Sequence, residues 1–286
     1  MIPGSFEYHQ PDSVQAAVAL LDELGDDARV IAGGHSLIPM MKLRLAMPEH
    51  LIDLRLINDL KFIRIESGVV HVGAMTTQHE LINHAELAQQ VPIIRETSLQ
   101  IGDPQIRYQG TIGGNVANGD PGNDMPGLMQ CLDATFTLLG SDGEREVPAR
   151  EFYEAAYFTA RDDLEILTSI SFRVSPGGYA YEKQKRKIGD YATAAAAVLL
   201  RKADDGVGCS FASIAMTNLA DTPIHCEAAS QLLQDQGVND VSIEAAVASC
   251  VASIEPVDDN RGPVEFKKHA AAQITRRAIK SAWSRT

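Results

Sequence analysis

Apolar residues at Val14, Ala17, Val18, Leu21 and Leu24 recur at helical spacing after Pro11. Asp12 or Ser13 is placed to cap that helix and Gly25 to stop it. A short apolar strand follows at residues 29–31, then the turn Ala32-Gly33-Gly34-His35-Ser36 and an apolar helix, LIPMMKL. With a strand at 51–54 these elements predict a compact α/β unit ending near residue 57. From Phe62 the pattern alternates: FIRIESGVVHVG predicts a hairpin turning at Ser67 and Gly68. Helices are expected from Thr76 or Thr77 through His84, from Pro92 through Ser98, and over 125–132. A second hairpin, TFTLLGSDGEREV, turns at Asp142 and Gly143, and 165–174 predicts a closing strand. Pro176, Gly177 and Gly178 break the chain. Beyond them, 179–185, 194–201 and 207–216 predict a small antiparallel sheet with Asp204, Asp205 and Gly206 as one turn. Helices near 227–234, 242–254 and 265–282 end the chain. The predicted fold class is α+β, in three units: 1–57, 58–176 and 177–286.

One stretch fits no element. Residues 107–124, RYQGTIGGNVANGDPGND, hold Gly110, Gly113, Gly114, Gly119 and Gly122 with almost no bulk between them. Each glycine costs backbone entropy, so a cluster implies positive φ or close approach to the backbone. Either glycine cluster alone reads equally well as a tight turn; the presence of both, this one and AGGHS, favours a ligand cradle. N–H groups from Gly33 to Ser36, at a helix entrance, are placed to converge on a pyrophosphate. Hydrogen bonds to a charged group contribute about 1.5–3 kcal/mol each, so a few would hold it without a lysine. Thr111, Asn115 and Asp124 offer hydroxyl, amide and carboxylate groups suited to a polyhydroxyl chain. Neither cluster matches G-x-G-x-x-G, and neither ends in Gly-Lys-Ser or Gly-Lys-Thr, which removes the Rossmann and P-loop readings. His79, Glu80 and His84 miss the spacing of a zinc-protease helix and read as surface residues. His35 beside Ser36 lacks a nucleophile elbow.

Composition narrows the ligand and the partners. The 286 residues are 45% hydrophobic and 22% charged, with a formal net charge of −13. Such acidity argues against nucleic-acid binding, which needs Lys and Arg to neutralise phosphates. The exception is the last segment, 261–286, with seven Lys and Arg against one Glu; it reads as a solvated helix face, with docking on an acidic partner as the alternative. Cys131, Cys209, Cys226 and Cys250 are scattered without a C-x-x-C pair, which supports neither an iron–sulfur cluster nor a cysteine zinc site. The N-terminal residues carry no secretion signal and no apolar run is long enough for a bilayer, so a cytoplasmic location is expected.

QIRYQGTIGGNVANGDPGND closely resembles the flavin-binding signature of the molybdenum hydroxylases, Q-I-R-N-x-x-T-I-G-G-N followed by N-A-S-P-x-x-D. AGGHSL resembles their A-G-G-T-x-L loop, and R-x-x-x-D-x-A recurs as Arg186, Asp190 and Ala192. The resemblance spans residue 3 to beyond 280. It implies an FAD-binding fold of the xanthine dehydrogenase and p-cresol methylhydroxylase superfamily, two α/β subdomains followed by a C-terminal domain of small antiparallel sheet and helices. By this resemblance Ala32, Gly33, Gly34, His35 and Ser36 hold the pyrophosphate of a non-covalent FAD. Thr111, Ile112, Gly113, Gly114, Asn115 and Asp124 meet its ribityl and phosphate region, and Leu37 and Gly110 are further cofactor-binding residues. Ile101 and Gly102 lie along it, Lys185 reaches it from the C-terminal domain, and Tyr191 covers the isoalloxazine. His35 in place of Thr, and DPGND in place of the serine-containing segment, depart from the family pattern. Within the family, GGHS and KIGDYATAAAAV are most similar to the medium subunits of aerobic carbon monoxide dehydrogenases. Flavin subunits of nicotinate, quinoline, xanthine or aldehyde hydroxylases, or a self-contained flavin oxidoreductase, are the alternatives. The implied role is electron transfer: from [2Fe-2S] clusters on a small subunit, fed by a molybdenum cofactor on a large subunit, through FAD to a quinone or cytochrome. The implied assembly is a dimer of heterotrimers, with membrane association at the inner face through the complex.

Overall fold

The computed structural model describes residues 2–204 and 206–286. The Ser13 hydroxyl accepts a hydrogen bond from the Ala16 N–H (3.3 Å) and caps the helix Val14–Leu24, a contact worth about 0.5–2 kcal/mol. Its buried stripe, Val14, Ala17, Val18 and Leu21, joins Ile52, Leu54, Leu60 and Met75 in one core. Under it lies a three-stranded parallel sheet in the order Glu7–His9, His50–Asp53, Ala28–Ile31. The apolar pattern does not predict Glu7–His9, because three residues are too few to show alternation; pairing with His50–Asp53 defines it.

A five-stranded antiparallel sheet follows, in the order Ile63–Glu66, Val69–Gly73, Ile166–Arg173, Thr135–Gly140, Gly143–Pro148. Both expected hairpins form its edges, and Ile166–Arg173 closes it between them. Thr77 caps Gln78–Asn83 in a reciprocal pair with Glu80. His84 then caps a further helix, Ala85–Gln90, by accepting from the Leu87 N–H (3.2 Å). His79 stacks on Tyr108 with ring centroids 4.0 Å apart. Both histidines are half-buried with local roles rather than free surface residues. Two short helices, Pro104–Gln109 and Ile112–Ala117, lie at the start of the glycine-rich region. Glycine disfavours a helix by about 1 kcal/mol, so the pattern predicts none over Ile112–Ala117. Caps from Asp103 and Thr111 hold them locally.

The C-terminal sheet is antiparallel, in the order Gly178–Gln184, Ala194–Lys202, Cys209–Thr217, Ile224–His225. Its third strand begins two residues later than the pattern predicts; Gly206 of the expected turn has φ +72, and Asp205 lies outside the described residues. Helices Glu227–Gln236, Asp240–Ala252 and Val264–Ser284 pack on it. Several basic residues at the chain's end meet acids of this same chain: Arg276 with Glu244 and Lys280 with Asp240 from the last helix, and Arg285, the residue that caps it, with Glu96. Helix Asp124–Cys131, buried along its whole length, joins the two larger sheets. Its Gly127 abuts the Thr217 side chain so closely that no Cβ fits. Among the described residues, no helix is long and apolar enough to cross a membrane.

Candidate functional site

The two glycine clusters meet in space. Gly33 has no room for a side chain, because the Gln109 carbonyl and the Gly110 Cα, 2.9 Å away, already face its Cβ position. The His35 ring comes within 3.6 Å of the Cβ position of Gly110, and the Ala32 methyl within 3.5 Å of that of Gly114. Along this seam runs a cavity of about 500 Å³, within the usual range for small-molecule sites. Ala32, Gly33, Gly34, His35, Ser36, Leu37, Ile101, Gly102, Gly110, Thr111, Gly113, Gly114, Asn115, Asp124 and Tyr191 line it. Ile112 and Lys185 are not among the lining residues. The Ile112 side chain is instead buried in the core that includes Val70, Phe136 and Ile170. Lys185 donates to the Gln100 side-chain oxygen (3.2 Å); partial burial and then neighbouring Lys183 push its ammonium pKa down.

The clusters differ in what they leave free. In the second, the N–H groups of Ile112 and Gly113 bond to the Thr76 and Ala74 carbonyls, both at 2.9 Å. Those of Gly114 and Asn115 bond to the Thr111 hydroxyl and carbonyl, both at 3.1 Å. Gly113 is there because Ala74 packs against it, with its methyl 2.5 Å from where a Cβ would be. These glycines let the chain pack on itself. In the first cluster, among the described residues, the N–H groups of Gly33, Gly34, His35, Ser36 and Leu37 have no acceptor within the chain. Gly34, at φ +73, supplies a left-handed step within this run, a conformation that glycine adopts without steric cost. Such a run of N–H groups is an anion nest.

Gln78 is a second polar group without a partner. It is 1% exposed, lines the cavity, and neither of its amide atoms has a hydrogen bond in the chain. A buried polar group left unpaired costs about 1–3 kcal/mol, so its position is one that a polar ligand satisfies. The other expected polar contacts are partly engaged already. Asn115 Oδ1 accepts from the Met125 N–H (3.2 Å), which leaves its amide hydrogens available. Asp124 is held by Tyr181, whose phenol donates to Oδ1 (2.5 Å), and by Lys183, whose ammonium is 2.7 Å from Oδ2. Burial pushes the Asp124 carboxyl up, while Lys183 and Tyr181 pull it down. Asp124 thus ties the cavity wall to the C-terminal sheet.

That sheet also sends a loop over the cavity. Gly189, Asp190 and Tyr191 line it, and Gly189 approaches so closely that a Cβ would lie 3.0 Å from the Gly102 carbonyl. Arg186 Nε donates to Asp190 (3.0 Å), and Asp190 accepts from the Tyr191 N–H (3.0 Å). The R-x-x-x-D spacing is therefore an ion pair that sets the loop. The half-exposed Tyr191 ring faces the Arg261 guanidinium at 5.7 Å. Gln78, Tyr157, Arg161 and Glu165 also line the cavity without a sequence signal; Gln78 starts the helix Gln78–Asn83, Tyr157 lies in the turn between Tyr153–Ala155 and Phe158–Thr159, and Arg161 and Glu165 lie in the loop that leads into Ile166–Arg173. The nest, the unpaired amide and the partly buried ring fit a long anionic cofactor with an aromatic end, as FAD is.

Comparison with known proteins gives the same answer. The family described as FAD binding domain in molybdopterin dehydrogenase matches residues 4–172, and CO dehydrogenase flavoprotein C-terminal domain matches residues 179–282. A carbon monoxide dehydrogenase medium chain from Afipia carboxidovorans is 57% identical, covering 100% of this chain and 99% of that protein. The solved Cu,Mo-CO dehydrogenase, in its cyanide-inactivated form, superposes with a TM-score of 0.97 at 57% identity, with 100% of each chain covered. Quinoline 2-oxidoreductase from Pseudomonas putida 86 superposes with a TM-score of 0.92 at 30% identity, with 99% of each chain covered. This chain belongs to the family of FAD-binding medium subunits of the molybdenum hydroxylases, and is similar along its whole length to the medium chains of carbon monoxide dehydrogenase.

Proposed function

We propose that this chain is the flavoprotein subunit of an aerobic carbon monoxide dehydrogenase, with FAD held non-covalently in the cavity between its glycine clusters. The observation that carries this reading is the whole-length likeness to carbon monoxide dehydrogenase medium chains, combined with free backbone donors at Gly33 to Leu37. When bound, FAD supplies reversible electron acceptance between the partner that delivers electrons and the final acceptor. The chain's own work is to bind and orient that group. Gly33, Gly34, His35 and Ser36 would hold the pyrophosphate through neutral N–H groups, which suits so acidic a protein. Gln78 and the free amide hydrogens of Asn115 would meet polar atoms farther along, Ile101 and Gly102 would lie beside the cofactor, and Tyr191 would cover the ring system. Lys185, held at Gln100, would reach toward the cofactor from the edge of the third unit. The three units are assigned to 1–57, 58–176 and 177–286.

The partners in this reading are a molybdenum-containing large subunit and a small subunit with two [2Fe-2S] clusters, assembled as a dimer of heterotrimers. It works in the cytoplasm, with the complex at the inner face of the membrane, and delivers electrons to a quinone or cytochrome. The test is to purify the chain alone, record its visible spectrum and add FAD. Flavin bands, or their appearance after FAD is added, are expected. A colourless protein that takes up no FAD overturns the reading. Oxidation of carbon monoxide by the complex that co-purifies with the chain tests the substrate separately.

A further inference from the structure

At the far edge of the N-terminal sheet, away from the residues that line the cavity, three metal-ligating side chains come together. Glu7 and His50 are register partners on adjacent parallel strands. His9, two residues beyond Glu7, faces the same side because side chains alternate along a strand. Tyr8 between them points the other way, where its phenol donates to Asp53 (2.5 Å). One ligand atom from each of Glu7, His9 and His50 lies within 4.8 Å of the other two. The His9 Nε2 and His50 Nδ1 atoms are 3.1 Å apart, and His50 Nδ1 is 3.6 Å from a Glu7 carboxylate oxygen.

Those spacings match a coordination shell. Zinc bound at about 2.0–2.1 Å with tetrahedral angles places neighbouring ligand atoms about 3.3–3.4 Å apart, between the two separations observed. Two imidazoles and a carboxylate suit a borderline divalent ion such as zinc rather than calcium or magnesium, which take oxygen ligands. The half-buried histidines and exposed Glu7 leave a fourth position open to water. We propose that Glu7, His9 and His50 form a binding site for a zinc-class divalent ion that straps the edge strand Glu7–His9 to His50–Asp53. The site is independent of the flavin, and its ligands are those of the sheet rather than the cysteines. The edge strand is only three residues long, so a metal clip there adds an anchor that its few ladder hydrogen bonds do not provide.

The experiment titrates zinc chloride into the chelator-treated full-length chain, followed by calorimetry and by histidine ring proton resonances. One saturable site is expected, with the His9 and His50 resonances perturbed and those of the other histidines unmoved. His9→Gln and His50→Gln should each weaken binding by more than the roughly 10–100-fold that loss of an outer hydrogen-bond partner costs a metal site. Cobalt substitution should give the visible bands of a four-coordinate ion in the unmodified chain and none in the double variant. No zinc uptake by the unmodified chain overturns the proposal, as does unchanged uptake by the double variant. The resonance readout on the unmodified chain decides the matter even if a variant fails to fold: shifts confined to other histidines overturn it equally.

Discussion

Asp124 and Lys183 form a buried ion pair, 2.7 Å between Oδ2 and Nζ with side chains 5% and 1% exposed, which joins the wall of the cavity to the first strand of the C-terminal sheet. Removing one partner strands the other charge, a loss of about 3–5 kcal/mol. Lys183→Met should therefore lower the thermal midpoint sharply and weaken flavin retention, because the wall keeps only the Tyr181 hydrogen bond to the sheet, on a carboxylate that has lost its cation. The double variant Asp124→Asn/Lys183→Met should recover part of the loss, and a double-mutant cycle on midpoint and flavin content measures the coupling. Additive losses would show that the pair does not act as a unit.

Gly33 separates cradle from packing. Gly33→Ala would push against the Gln109 carbonyl, a backbone atom that cannot swing aside, and drive the two glycine clusters apart. The expected result is loss of bound FAD, read from the ratio of flavin to protein absorbance. Gly114→Val should do the same by a different route. Its Cβ would meet the Thr111 hydroxyl at 2.9 Å, the atom that caps the helix below. Stoichiometric flavin in either variant would contradict the placement.

Gln78 predicts opposite effects on stability and binding. Gln78→Met removes a buried amide that has no partner in the chain, so the flavin-free protein should gain about 1–3 kcal/mol. FAD affinity should fall about tenfold, the equivalent of one hydrogen bond of 1.4 kcal/mol. Thermal melts without flavin and an FAD titration give the two numbers. A fall in both would mean that the amide serves the scaffold instead.

Glu165, on the cavity wall, predicts an acid limb. Arg145 grips its carboxylate with two hydrogen bonds, 2.6 and 2.7 Å, and holds its pKa below the usual 4.5. A carboxylate with a lowered folded pKa contributes stability that is fully present above the unfolded value and is lost as pH falls through the folded one. Midpoints measured downward from pH 5 should therefore decline less steeply in Glu165→Gln than in the unmodified chain. Parallel declines would remove Glu165 from the acid limb.

The order of helices and strands was largely legible, because apolar spacing records which face of each element is buried. Ser13, Gly25, Thr77, Ser67 and Gly143 all stand where caps and turns need them. Glu7–His9 was not legible, since a three-residue edge strand exists only through its partner. The two glycine clusters were also visible, and together they pointed to one ligand between them. Their division of labour was not: Gly113 reads like Gly33 along the chain, yet one packs on Ala74 and the other borders the open N–H groups.

By itself the sequence determined the α+β class, the glycine loops and, through their resemblance, the family and its cofactor, because these depend on local backbone conformation and on motifs contiguous in the chain. Only the tertiary structure decided which donors are free, that Gln78 is buried without a partner, that Asp124 is bound by Tyr181 and Lys183, and that Glu7, His9 and His50 converge. Each of those depends on atoms brought together by strand register and helix packing across tens of residues, and such distances leave no periodic trace in the sequence.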